Sequence, residues 1–104
     1  TGRAEEAFDY NRRAAMELPN DPQAQAQFGM NLYQQGKLMD AERALIQVKR
    51  IDPRHASRPQ LFLAEIYSRR GEKARAAAEL EELLSTRPDA QLQRTIEGAI
   101  ARLR

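Results

Sequence analysis

One imidazole, a run of carboxylates and three scattered hydroxyls are the groups in this sequence that chemistry could use. His55 is the single histidine, placed in a turn just after Pro53. The chain has no Cys, and no second imidazole or carboxylate cluster stands at ligand spacing, so His55 has no company for an ordinary metal site. Nor does the pattern set a nucleophile where it could serve as general base. Glu79, Glu81 and Glu82 bring three carboxylates together, but they share a helical stretch with Lys73 and Arg75, the pattern of a solvated, ion-paired face. The pattern positions no base to activate Ser57, Ser68 or Ser85, and no Gly-rich loop could cradle a phosphate. The expectation is a segment with no catalytic residues, no cofactor and no metal: not an enzyme.

Charge narrows the partners. A net charge of +2 and a pI near 9.3 come from a small surplus of Arg over a mixed background. The pairs Arg12-Arg13 and Arg69-Arg70 sit among carboxylates or glutamines instead of forming a basic stripe, so nucleic acid is not the expected partner. No apolar run approaches the roughly 18 residues of a membrane span, so direct membrane insertion is not expected. Zero Cys excludes a disulfide framework without locating the protein. An Ala-rich, Arg-rich, Lys-poor composition is compatible with a bacterial protein, in cytoplasm or periplasm alike.

The elements that must carry these residues are helices. Ala, Glu, Gln, Leu and Arg dominate while Val, Ile and Thr are scarce, which favours helix over strand. Three stretches share one register, beginning at Gly2, Gly36 and Gly71. Each has Ala five places after the Gly (Ala7, Ala41, Ala76) and Pro at the eighteenth place (Pro19, Pro53, Pro88). The spacing between copies is 34 and then 35 residues. Gly can adopt the left-handed conformation that closes a helix. Ala permits a close helix crossing, and Pro ends the second helix because it has no amide donor. Each unit therefore reads helix, Gly turn, helix, Pro turn.

Six helices follow from the pattern. The first covers about 3–18, apolar at Ala4, Ala7, Phe8, Ala15 and Leu18. The second opens at Asp21-Pro22, a cap followed by Pro in the first helical position, and runs to about Gln35. The third spans about 39–51, burying Ala41, Leu45, Val48 and Ile51. The fourth is expected to take Ser57 as its cap, with Pro59 in its first turn. The fifth spans about 73–86 on Ala76, Leu80, Leu83 and Leu84. The sixth starts at Asp89 with Leu92, Ile96, Ala99, Ile100 and Leu103 as its stripe.

A 34-residue helix-turn-helix unit with these markers resembles the tetratricopeptide repeat. The clearest copy runs from Pro22 to Pro53, with Phe28-Gly29, Tyr33, Gly36, Ala41 and Pro53 matching the family's packing residue, small residue, aromatic, turn Gly, crossing Ala and terminating Pro. A second copy has Leu63-Ala64, Tyr67, Gly71, Ala76 and Pro88. Gln25 and Gln60 replace the aromatic usual early in the first helix, and one extra residue near Ala56 lengthens the loop between the copies.

The resemblance implies an all-α, right-handed α-α superhelix of about 2.5 repeats plus a C-terminal capping helix. The expected organisation is a single domain over 1–104, with the second helix of a partial repeat (1–19), two full repeats (20–54 and 55–88) and a terminal helix (89–104). It also implies a scaffold, a non-catalytic adaptor binding a peptide or partner protein in a concave groove lined by the first helices. Groove residues would be Gln23, Ala26, Met30, Tyr33 and Gln34, then Arg58, Leu61, Phe62, Glu65, Ser68 and Arg69. Their mixture suits a partner with apolar anchor residues. The Lys-Asn-Arg clamp of the chaperone-tail subclass would fall on Ala26, Met30 and Phe62, none of which can grip a carboxylate. The first copy begins at its second helix, as in a segment of a longer assembly protein, and that leaves an exposed amino-terminal edge. Self-association of the array through this edge is the alternative expectation.

Overall fold

A computed structural model describes residues 2–104, and among these every regular element is an α-helix. The six are α1 (Gly2–Glu17), α2 (Pro22–Gln34), α3 (Leu38–Ile51), α4 (Pro59–Arg69), α5 (Lys73–Ser85) and α6 (Ala90–Leu103). They fall into two compact units, Thr1–Pro59 and Gln60–Arg104, so that the boundary coincides with the first residue of α4.

Local chemistry sets most helix ends. Asp21 takes extended backbone and its side chain accepts a hydrogen bond from the Gln23 amide at 3.0 Å, while Pro22 occupies the first position, where no donor is needed. Asp89 caps α6 in the same way, accepting from the Leu92 amide at 2.9 Å. The turns at Gly36 and Gly71 carry φ of +77° and +76°. There the amides of Lys37 and Glu72 donate back to the carbonyls of Leu32 and Tyr67. Ideal Cβ atoms at both glycines would meet nothing within 4 Å, so backbone angle alone is what selects Gly.

The entry to α4 departs from expectation. Ser57 does not cap it. Its hydroxyl lies 2.8 Å from His55 Nδ1, its amide donates to the same nitrogen at 3.2 Å, and Arg58 follows in a left-handed conformation, φ 51°. The extra residue of this loop is absorbed here. Measured from the turn glycines, α4 starts two residues later than α2, and Arg58 belongs to the turn instead of the helix.

In the amino-terminal unit α1 packs on α2 and α2 on α3. Ala15, Ala24, Ala26 and Leu32 face a core completed by Ala41, Ala44, Leu45 and Val48. Gly29 makes the closest approach: a Cβ there would stand 3.1 Å from the Leu45 side chain. In the carboxy-terminal unit Leu63, Ala64, Ile66 and Tyr67 of α4 join Ala76, Ala77, Leu80 and Leu83 of α5 and Ile96 and Ile100 of α6. The stripe on α6 follows Ile96 and Ile100, leaving Arg94 and Glu97 exposed.

One core expectation and one correspondence between the repeats are corrected. Ala7 stands where Ala41 and Ala76 are fully buried, yet it is exposed, as are Ala4 and Leu18, because among the described residues of its unit no helix covers that face of α1. Counting back from the turn glycines, the partner of buried Tyr67 is Leu32, not Tyr33. One residue turns a helix by about 100°, which puts Tyr33 at the margin of the core and leaves it half-buried.

Candidate functional site

Three surface recesses collect the groups that could meet a partner. The largest, about 520 Å³, lies in the amino-terminal unit among α1, α2 and α3. Its apolar wall is Phe8, Phe28, Leu32 and Ala44, with the two phenyl rings 5.9 Å apart at 41°. A tilted pair of this kind is favourable and leaves ring surface to be covered. Arg12, Lys37 and Arg43 supply cations to its lining, against the one carboxylate of Asp40. Lys37 Nζ stands 5.1 Å from the Phe8 ring centroid. Gln25 at the base is buried and donates through Nε2 to the Ala15 carbonyl at 3.0 Å, which satisfies an orphan acceptor at the end of α1. Asn11 and Asn31 share a further side-chain hydrogen bond between α1 and α2.

The second recess, about 390 Å³, belongs to the carboxy-terminal unit. Leu61, Ala64 and Leu80 meet Ala99 and Leu103 of α6 along its base, with Glu65, Ser68 and Arg102 as polar rim. The third, about 200 Å³, runs along the uncovered face of α1, between Tyr10, Ala14 and Leu18 and the opening turn of α2.

The expected groove residues divide among these places. Leu61, Glu65 and Ser68 line the second recess together; Arg69 pairs with Glu65 at 3.4 Å beside it, both side chains half exposed. Gln23 lines the third recess. Ala26 is buried and offers little surface. Met30, Tyr33 and Phe62 are half-buried and Gln34 is exposed at the end of α2; none of these lines any of the three recesses. Arg58 stands in the turn ahead of α4.

Sequence reasoning missed the first recess. Its one legible signal was Gln25, a slim polar side chain where the resembled family carries a large aromatic. The companions Phe8, Arg12, Lys37 and Arg43 come from three helices, and no single periodicity links them.

The acidic run on α5 is more engaged than a solvated face. Glu82 accepts from buried Gln60 Nε2 at 3.0 Å, and Glu81 meets Arg104 at 2.9 Å. Among the described residues no group of three or more His, Asp or Glu side chains could hold a metal ion, and no helix is long and apolar enough to cross a membrane. No family model matches the sequence, and no curated protein matches it either.

Proposed function

We propose that this chain is a non-catalytic protein-interaction scaffold of tetratricopeptide type, about 2.5 repeats with a terminal helix and the right-handed winding such repeats imply. The observation that carries the binding role is the recess between α4 and α6. It has an apolar base and a polar rim, and Leu61 in its lining is 36% exposed. A large side chain left half in water beside Glu65, Ser68 and Arg102 suits an anchor residue of a peptide whose flanks are polar.

Uniformly labelled chain, titrated with peptides selected on it from a random library, tests the proposal by amide shifts. The expected changes cluster on Leu61, Glu65, Ser68, Ala99 and Leu103, and Leu61→Ala should weaken binding by about 1–2 kcal/mol, as loss of an anchor does. Shifts confined to the outer face of α5 would remove the α4–α6 recess as receptor.

A second reading is favoured by the bare face of α1. Tyr10 is 73% exposed and Leu18 is 51% exposed on one side of the helix, a surface on which a second copy could dock. Light scattering over a concentration series separates the two readings, since a chain that stays monomeric throughout does not use this edge for self-association.

A further inference from the structure

We propose that the α1–α3 recess is a second docking site, for a partner segment in which a carboxylate adjoins an apolar side chain. The repeat itself indicates what is missing there. Thirty-five residues separate equivalent positions of the two helix pairs, so Leu32 corresponds to Tyr67, Lys37 to Glu72 and Asp40 to Arg75. In the carboxy-terminal unit the corresponding side chains engage one another. The Arg75 guanidinium lies 4.2 Å from the Tyr67 ring centroid, donates to the Tyr67 hydroxyl at 3.1 Å, and pairs with Glu72 at 3.1 Å. Ring, cation and carboxylate are all present.

In the amino-terminal unit the same two places carry the opposite charges, Lys37 and Asp40, and the ring is Phe8 of α1. Lys37 stands over Phe8, and among the described residues its side-chain partner is that ring. The nearby acids face other cations: Asp9 meets Arg12 and Arg13, each at 3.0 Å, and Asp40 reaches Arg43 at 3.7 Å. Leucine in place of tyrosine at position 32 leaves the recess open beside the Phe8–Phe28 pair. A volume of about 520 Å³ admits one large apolar side chain together with a neighbouring carboxylate. The lining sets Arg12, Lys37 and Arg43 against one carboxylate, so an incoming acid at Lys37 and Arg12 would offset that excess, and an apolar neighbour would cover the phenyl rings. The exposed Arg12–Asp9 pair is weak and exchanges readily. This site shares no residue with the α4–α6 recess and does not depend on it.

The test is a differential selection. Random nine-residue peptides are displayed and panned in parallel on the natural chain and on its Lys37→Glu variant, and one enriched peptide is mapped by amide shifts. Lys37 is exposed, and an unchanged amide spectrum elsewhere verifies that the variant is folded. The expected result is enrichment, on the natural chain alone, of Asp or Glu next to Leu, Phe or Ile. The mapped peptide should shift Phe8, Phe28 and Lys37 while Leu61 and Ser68 stay silent. Replacing its acid by the amide should weaken binding about tenfold, and raising ionic strength from about 0.05 to 0.5 M should weaken the acidic peptide alone. A second variant, Leu32→Tyr, should close the recess and abolish the shifts. The proposal is overturned if nothing is enriched, if both chains select the same peptides, or if acid and amide bind alike. Shifts that fall only on α4 and α6 overturn it too, and leave the α4–α6 reading standing.

Discussion

Gly29 brings α2 against α3 with its missing side chain directed at Leu45, whereas the equivalent residue of α4 is Ala64, buried with its methyl in place. Around these crossings the two helix pairs keep the same inner residues: Ala41 and Ala76 are both 0% exposed, and Leu45 matches Leu80. Their outer shoulders differ. Lys37 and Asp40 carry charges opposite to those of Glu72 and Arg75, and where Tyr67 and Arg75 engage each other in one unit, Leu32 lines an open recess in the other. The crossing is where geometry permits few side chains; the shoulder is where it permits many, and there the repeats have diverged.

The sharpest way to break that view is to cut into the matched cores. Leu45→Ala and Leu80→Ala should each cost about 2–5 kcal/mol, because both remove a buried side chain that its surroundings only partly replace. Urea unfolding measures this, and a loss in one variant of less than half that in the other would show that the cores are not equivalent. Next come the crossings. Ala41→Leu and Ala76→Leu should lower stability by about 1–3 kcal/mol through overpacking, and unchanged melting temperatures in both would place the crossings elsewhere. Gly36→Ala and Gly71→Ala should each cost about 1–2 kcal/mol for a left-handed residue with a Cβ. The two costs should agree closely, since neither turn has a neighbour to crowd the new methyl. The smallest effects distinguish the shoulders. Arg75→Ala should cost about 0.5–1 kcal/mol by losing its ring and ion-pair contacts at a partly exposed site. Lys37→Ala should leave the melt unmoved, and a comparable loss there would mean the open recess already contributes to folding.

How much of this was readable follows from how local each cause is. The Asp21-Pro22 and Asp89 starts, and the Gly36 and Gly71 turns, were legible because each depends on one residue's bonding or backbone preference. The α6 stripe was legible because Ile96 and Ile100 repeat at helical spacing. Tyr33 misled because it was matched to Tyr67 on its aromatic type, while counting from the turn glycines pairs Tyr67 with the buried Leu32. Ser57 and Arg58 misled because His55, two residues upstream, competes for the serine that would otherwise cap the helix. Ala7 looked like core by register, but register cannot supply the helix that would cover it. Of the expected groove, Leu61, Glu65 and Ser68 converge because they recur on one face of α4. The α1–α3 recess escaped because its wall is assembled from residues as far apart as Phe8 and Ala44.

Within each unit packing follows chain order: α1 rests on α2, α2 on α3, and α5 on α6. This has a consequence for how the molecule forms. Joining neighbours across turns of a few residues closes only short loops, so little chain entropy is lost before the first contacts are made. Folding times for helical proteins of such low contact order are on the order of microseconds to milliseconds. A ribosome adds only about 5–20 residues per second, so α2 and α3 would have paired long before α5 is synthesised. A stopped-flow refolding rate slower than about one per second would mean that something other than neighbour pairing limits the reaction.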